Sequence, residues 1–159
     1  LWRETVQSME KDFPEVKVSY EFVDAVAMRL IQWPNNYDVL ITENLFGDIL
    51  TDEASVITGS MGLMPSASLG TNNSLFEPIH GSFPQAAGKN IANPLATILS
   101  AGMMFDMGFN LKNEAECIKM AVDKSLENEI LTEDLSGEKG KKYKTSDVGD
   151  FLVKEILSK

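Results

Sequence analysis

The spacing of apolar residues predicts a chain built mainly of helices. Apolar side chains recur every three to four positions in several segments, which is the period of an amphipathic helix. The predicted helices cover the start of the chain up to Pro14 and then 25–31, 46–57, 94–107, 114–128 and 147–157. The segment 94–107 is apolar on nearly every side, so we expect this helix to be deeply buried, with Asn93 as its N-cap. The stretch 127–143 is polar and predicts a connection.

Two further segments have the pattern of strands. Apolar and polar residues alternate over 16–22, which predicts a half-buried strand. A short apolar run over 38–42 predicts a buried one. Helices interleaved with these strands predict an α/β arrangement. The Thr71-Asn72-Asn73 stretch predicts an exposed turn, and the glycine-rich segment 58–70 suits turns and close backbone approaches.

Composition narrows the class of protein. At 159 residues and 43% hydrophobic content, the chain is long enough for a real core. No apolar run approaches membrane-spanning length, so we expect no membrane partner. A net charge of −10 argues against a nucleic-acid partner. The single cysteine, Cys117, fits the reducing conditions of the cytoplasm, where we expect this protein.

Asp48 and Asp52 form the first candidate site. They are four residues apart on the helix predicted to follow the 38–42 strand, so they lie one turn apart on one face. A hard divalent cation such as Mg²⁺ or Mn²⁺ would remove the repulsion between two such carboxylates. Alternatively, Asp48 interacts with the N-terminal dipole of the helix and Asp52 is simply solvated. The spacing alone leaves both interpretations open.

Two other polar residues have both a structural and a functional interpretation. Asp24 precedes the helix 25–31 and suits an N-cap. His80, the only histidine, stands in a turn, where an isolated polar residue is commonly structural. The loop 80–93 that follows is rich in small residues and suits nucleotide binding through backbone amides. It has no Gly-x-Gly-x-x-Gly fingerprint, which excludes a Rossmann-type site there.

Four stretches together resemble the β-decarboxylating dehydrogenases, the isopropylmalate/isocitrate dehydrogenase family. They are 22–28, 44–55, 62–70 and 77–94, in the family's order, and the match is most specific from 22 to 104. The resemblance implies an isopropylmalate/isocitrate dehydrogenase-like two-domain fold, of which this chain is the C-terminal half. We expect residues 1–57, approximately, to form the metal-site and dimer-interface part and residues 58–159 the cofactor-binding part.

The resemblance also implies ligands and partners. Asp48 and Asp52 are expected to hold Mg²⁺ or Mn²⁺, and Asp24 to reach the metal and substrate of the partner subunit in a homodimer. The adenosine half of NAD is expected to be lined by His80, Gly81, Ser82, Gln85, Ala92 and Asn93. The implied reaction is hydride removal from the secondary alcohol of a small dicarboxylate, followed by loss of the carboxylate β to the new ketone.

Motif variants bear on the substrate and the cofactor. Isocitrate dehydrogenases usually have Asn-Gly-Asp-Tyr where this chain has Phe46-Gly47-Asp48-Ile49, which favours 3-isopropylmalate and a place in leucine biosynthesis. Isocitrate, homoisocitrate and tartrate enzymes remain the alternatives. NAD-using relatives commonly have an aspartate where Gln85 stands, and a glutamine does not repel the 2′-phosphate of NADP.

No catalytic residue is expected within this chain. The family's proton-transfer tyrosine and lysine and its arginine clamp would precede Leu1, and only two arginines, Arg3 and Arg29, occur here. We therefore expect the fragment alone to be inactive. Two other protein classes match parts of this pattern. A haloacid-dehalogenase-type phosphatase would need an Asp-x-Asp motif on an earlier strand, which is missing, whereas a non-enzymatic interaction module fits the lack of a proton-transfer residue.

Overall fold

The computed structural model describes residues 1–158, in which helices predominate. The helices are α1 Trp2–Glu10, α2 Val23–Gln32, α3 Asn44–Thr58, α4 Leu95–Met103, α5 Lys112–Glu127, α6 Glu133–Ser136 and α7 Thr145–Leu157. The strands are β1 Pro65–Leu69 and β2 Ser74–Pro78. Short 3₁₀ turns occur at Pro34–Asn36, Met61–Leu63 and Pro84–Ala86, and a π-helical turn, Met104–Gly108, follows α4. None of the helices in the described part of the chain is both long and apolar enough to span a bilayer.

The chain divides into two compact units, Leu1–Ala54 and a second that begins at Ser55. The first has a small core in which Val26 and Leu30 of α2 are buried with Leu50 of α3. Val26 and Leu30 are four residues apart and therefore lie on one face of α2. The predicted helices 25–31 and 46–57 are confirmed, each slightly longer than expected.

The two predicted strands of this unit are wrong. Residues 16–22 and 38–42 have an irregular backbone, and Val39 and Ile41 are 79% and 72% exposed. A strand is stable only beside a hydrogen-bonded neighbour. In the part of the chain that the structure describes, β1 and β2 pair only with each other. Neither predicted segment therefore has the hydrogen-bonded neighbour that a strand requires.

The second unit contains an antiparallel hairpin that the sequence pattern did not reveal. In β1 and β2, Pro65 is opposite Pro78 and Leu69 is opposite Ser74. Strand β1 consists of one proline, three small residues and one leucine, a composition with low strand propensity, so its sequence pattern did not predict a strand. The predicted turn at 71–73 is confirmed as the hairpin connection. A Cβ on Gly70 would lie only 2.5 Å from the Asn73 carbonyl oxygen, which explains the glycine at this turn.

The main core of the second unit lies where α4, α5 and α7 meet. Its buried members are Leu95, Ala121, Val122, Val148 and Leu152. Helix α4 also packs on both strands of the hairpin. The expected burial of 94–107 is confirmed for the first turns of α4, because Leu95 and Ala96 are almost completely buried. Beyond Met103 the helix widens into the π-helical turn.

Candidate metal and cofactor sites

Helix α3 begins at Asn44, and its first turn is capped by a residue outside the helix. The Glu43 carboxylate accepts hydrogen bonds from the backbone N–H groups of Leu45, at 3.0 Å, and Phe46, at 2.8 Å. These amides form the positive end of the helix dipole. Asp48 lies one turn deeper. The interaction with the helix N-terminus, which was one interpretation of Asp48, is therefore made by Glu43.

Asp48 and Asp52 are both exposed on α3, one turn apart. The Asn44 side-chain amide donates to Asp48 Oδ2 at 2.9 Å. Mg²⁺ is commonly bound through one or two carboxylates, with waters completing its six oxygen ligands. Two solvent-facing carboxylates fit this donor set. The described residues contain no group of three acidic, histidine or cysteine side chains that could hold a metal together, so the pair supplies only part of a coordination sphere.

Asp24 lies in the first turn of α2, where it is exposed. Its predicted alternative role as N-cap is wrong, because Phe22 occupies that position. Its Oδ1 accepts a hydrogen bond from the neighbouring Ala25 N–H at 2.8 Å. The contact of Asp24 with the metal and substrate of a partner subunit stays a prediction.

The predicted cofactor loop, residues 80–93, follows β2 and leads into α4. Gly81, Ser82, Gln85 and Ala92 are exposed and accessible to a ligand, whereas His80 and Asn93 are half-buried. The imidazole Nδ1 of His80 lies 2.9 Å from the Gly81 carbonyl oxygen. A Cβ on Gly81 would have no neighbour within 4 Å, so the backbone is open there. This loop fits a ligand bound through backbone and small polar groups.

Helix α7 holds the far end of the cofactor loop in place. Asn90 has a left-handed backbone, with φ of 58°, and its Oδ1 accepts from the Ser146 N–H at 3.0 Å. Its side-chain amide donates to Ser146 Oγ at 2.8 Å. The Thr145 hydroxyl donates to the Ala92 carbonyl oxygen at 2.5 Å. Asn90 thus supplies the cap that the first turn of α7 requires.

Asn93 is fixed by hydrogen bonds at both ends of its side chain. Its Oδ1 accepts from the Leu95 N–H at 3.0 Å, so it caps α4 although Pro94 occupies the N-cap position. Its amide donates to Asp134 Oδ2, also at 3.0 Å. A Cβ on Gly62 would lie 2.7 Å from the Asn93 Cβ and Nδ2 atoms. The expected close approach in the glycine-rich segment is therefore real at Gly62.

The Asp134 carboxylate accepts hydrogen bonds from three segments of the second unit. It accepts from Ser60, from Thr132 at 2.5 Å and from Asn93. Burial by itself would raise the pKa of Asp134, but the hydrogen bonds from these three side chains outweigh it and hold the pKa below its usual range. Sequence patterns did not single out Asp134 because two of its three partners, Ser60 and Asn93, lie far from it in the chain.

A cleft of about 420 Å³ opens elsewhere on the second unit, lined by residues of β1, α4, the π-helical turn and α5. Its polar lining includes Asp106, Lys112, Glu116 and Lys119. None of the predicted metal or cofactor residues contributes to it. The candidate sites are thus exposed surfaces of the helix α3 and the loop 80–93 rather than this cleft.

Comparison with known proteins connects these residues to one family. The profile described as isocitrate/isopropylmalate dehydrogenase matches residues 1–152. A 3-isopropylmalate dehydrogenase of Bacteroides fragilis is 54% identical over 156 residues, which cover 98% of this chain but 44% of that protein. One from Pseudomonas savastanoi is 51% identical over 96% of this chain and 43% of its own length. The chain therefore spans less than half the length of these relatives.

Solved structures show the same fold. An isocitrate dehydrogenase from Methylococcus capsulatus is 36% identical and superposes with a TM-score of 0.90 over 96% of this chain and 44% of that one. A β-decarboxylating dehydrogenase from Thermococcus kodakarensis is 38% identical, with a TM-score of 0.84 over 98% of this chain and 45% of that one.

These superpositions confirm the α/β fold of isopropylmalate/isocitrate dehydrogenase type that the sequence predicted. The profile match over 152 of the residues and the identities of about half to named relatives agree on one assignment. The chain belongs to the isocitrate/isopropylmalate dehydrogenase family.

Proposed function

We propose that this chain supplies the metal carboxylates and the cofactor loop of an enzyme that oxidises and decarboxylates 3-isopropylmalate. The observation that carries the proposal is the pair Asp48 and Asp52, exposed one turn apart on α3, within a stretch that matches the family. The α3 N-terminus already has its anionic partner in Glu43, so the dipole does not account for the pair.

In this function Asp48 and Asp52 bind Mg²⁺ or Mn²⁺, and Asp24 reaches the metal and substrate of the other subunit of a homodimer. A bound divalent cation supplies Lewis acidity toward the carbonyl oxygen that alcohol oxidation produces. The chain's own contribution is to hold two anionic oxygens on one rigid helix face. The single Asn44 amide that donates to Asp48 orients this carboxylate.

The loop 80–93 binds the adenosine half of NAD⁺, which accepts the hydride. Gly81 and Ser82 offer backbone groups in an exposed stretch, and Asn93 offers a side-chain amide whose orientation is fixed. Gln85 lies exposed in the 3₁₀ turn of the loop, where it suits a hydrogen bond to a ribose hydroxyl. Lys89 is the one cation between His80 and Pro94, so the loop offers little to a 2′-phosphate, which favours NAD⁺ over NADP⁺.

The proton-transfer tyrosine and lysine and the arginines that bind the dicarboxylate are assigned to the part of the longer relatives that this chain does not match. The 44% coverage of the Bacteroides fragilis protein supports this division. Leucine biosynthesis in the cytoplasm is the setting that we propose. The division into a metal-site part near residues 1–57 and a cofactor part from about 58 onward belongs to the same proposal.

Isopropylmalate is favoured over isocitrate by the names of the relatives at 48–54% identity. A hybrid protein can be made by joining this chain to the unmatched portion of the Bacteroides fragilis relative. NADH formation by this hybrid is then measured with Mg²⁺ and either 3-isopropylmalate or isocitrate as the substrate. We expect turnover of 3-isopropylmalate, faster than of isocitrate, and its loss in EDTA. A folded hybrid that reduces NAD⁺ with neither substrate contradicts the proposed function.

A further inference from the structure

A carboxylate outside the family motifs of this chain is hydrogen-bonded to a residue inside them. Asp134, in the short helix α6, accepts hydrogen bonds from Ser60, Thr132 and Asn93. Ser60 follows α3, Thr132 is the buried residue before α6, and Asn93 ends the cofactor loop. Hydrogen bonds to an ionised acceptor are stronger than neutral ones, so the carboxylate binds three separate segments together.

The hydrogen bonds of Asn93 are compatible with only one orientation of its side-chain amide. An amide side chain has one acceptor end and one donor end. The acceptor end faces the Leu95 N–H and the donor end faces Asp134, each at 3.0 Å. Turning the amide over would place its oxygen against the carboxylate and lose both hydrogen bonds. The second N–H of the NH₂ group is then the donor that this orientation leaves for a ligand.

We propose that Asp134 is a positioning residue for the cofactor: its carboxylate sets the orientation of the Asn93 amide and thereby the adenosine side of the NAD⁺ site. This inference rests on the proposed function, in which Asn93 lines that site. Asp134 itself does not touch the cofactor. Its effect is transmitted through one side chain and through the Ser60 hydroxyl, which also accepts from the Gly62 N–H at 3.0 Å behind Asn93.

The test is NAD⁺ binding by the hybrid with the Bacteroides fragilis portion, measured by calorimetry for the unsubstituted hybrid and for the hybrids with Asp134→Asn and Asp134→Ala. Loss of a charge-assisted hydrogen bond predicts that Asp134→Ala weakens NAD⁺ binding about tenfold or more. Asp134→Asn keeps one acceptor oxygen and the same shape, so it is expected to fold and to lose less. Glu133→Gln is the matched control, since it neutralises the adjacent acid, which pairs with Lys142, and is expected to bind as the unsubstituted hybrid.

A double-mutant cycle separates positioning from a general loss of stability. If Asp134 acts through Asn93, then Asn93→Ala combined with Asp134→Ala weakens NAD⁺ binding no more than Asn93→Ala alone. A role in folding alone would instead give losses that add. The ¹⁵N spectrum of the Asn93 side-chain amide gives a second readout, and it is expected to shift in Asp134→Asn.

The outcomes distinguish the inference from the function on which it depends. If the folded, unsubstituted hybrid binds no NAD⁺, the proposed cofactor site fails, and the role of Asp134 fails with it. If the unsubstituted hybrid binds NAD⁺ and Asp134→Ala binds it equally well, or the cycle is additive, only the positioning role is overturned.

Discussion

The Asn93 side-chain amide donates to Asp134 Oδ2 across 3.0 Å, although the two residues are 41 positions apart in the chain. The same carboxylate accepts from Thr132, whose side chain is almost completely buried. Removing the acceptor leaves the Thr132 hydroxyl without this partner in an environment that water hardly reaches. Asp134→Ala is therefore expected to lower the free energy of unfolding by about 1–3 kcal/mol, measured by urea denaturation at neutral pH.

The stabilisation by Asp134 has a defined pH dependence. The folded-state pKa of Asp134 is lowered, so its contribution is fully present above the unfolded-state pKa, about 3.9, and is lost as the pH falls through the folded value. The difference in unfolding free energy between the unsubstituted chain and Asp134→Asn should thus be constant from pH 7 to about 5 and shrink below about 4. A difference that grows as the solution becomes more acidic would contradict this sign.

Gly62→Ala is predicted to be destabilising through a single contact. The new Cβ would lie 2.7 Å from Asn93 Cβ, closer than real Cβ atoms approach, so Asn93 must move. We expect a loss of about 1–3 kcal/mol in unfolding free energy and weaker NAD⁺ binding. Gly149→Ala is the control, because it lies within α7 with no atom within 4 Å of its Cβ and should stabilise by about 0.5–1 kcal/mol.

Asp48→Asn is expected to weaken Mg²⁺ binding strongly, because a hard cation loses an anionic oxygen, while the fold is retained. Asp52→Asn should act in the same direction, and to a smaller degree if a water molecule replaces the lost oxygen ligand. Calorimetric titration of Mg²⁺ into the hybrid with the Bacteroides fragilis portion measures this. Asp150→Asn, at an exposed position of α7, is the charge-matched control. Equal Mg²⁺ affinity for Asp48→Asn and the control would rule out the assignment.

Gln85→Asp is predicted to sharpen the preference for NAD⁺. A carboxylate accepts hydrogen bonds from both ribose hydroxyls and repels the 2′-phosphate of NADP⁺. The ratio of kcat/KM for NAD⁺ to that for NADP⁺ in the hybrid should therefore rise. The loop position of Gln85 is exposed, so the substitution should leave the unfolding temperature unchanged. An unchanged ratio would show that the ribose is not recognised at this residue.

The chain alone is expected to form no NADH from 3-isopropylmalate and Mg²⁺. Two of its tyrosines are poor proton acceptors for the alcohol. A hydrogen bond to the Glu10 carboxylate raises the pKa of Tyr20 to about 12, and burial with a hydrogen bond to Glu21 raises the pKa of Tyr37. Turnover by the chain without a second component would mean that proton transfer uses groups assigned here to other roles.

Self-association of the isolated chain is a separate prediction. Phe22, Val39 and Ile41 are each more than 70% exposed, in segments whose sequence has the pattern of strands. Such segments tend to pair with other chains when no neighbour covers them. Light scattering of the isolated chain should therefore give a mass above 17.5 kDa, and the hybrid should show no further association beyond a dimer. A monomeric isolated chain would contradict this expectation.

Sequence patterns predicted the helices well because their signal is local. The period that placed a helix at 46–57 arises from residues within four positions of each other, and the structure has α3 at Asn44–Thr58. Strands depend on partners elsewhere. The pattern over 38–42 predicted a strand that has no neighbour in the described residues, whereas Pro65–Leu69 forms one although its composition argues against it.

The residues of the candidate sites also differ in whether a local sequence pattern indicates them. The spacing of four indicated Asp48 and Asp52 as candidates, and small residues indicated the loop 80–93, whereas the roles of the loop residues come from the resemblance to a family. The sequence patterns did not indicate Asp134 or Asn90. Asp134 is hydrogen-bonded to Asn93 and Ser60, 41 and 74 positions away, and Asn90 to Ser146, 56 positions away. A signal for Asn90 exists in principle, since asparagine is among the few residues that readily adopt a left-handed backbone.

The cap that Asn90 provides to α7 has a consequence for how this part of the chain folds. The residue that satisfies the first turn of the last helix stands 56 positions earlier, at the end of the cofactor loop. Formation of that turn and closure of the loop are therefore one cooperative event, and the entropy of ordering the loop is offset by the completion of a helix. Local opening at either end should expose the backbone amides of both segments to hydrogen exchange at the same rate.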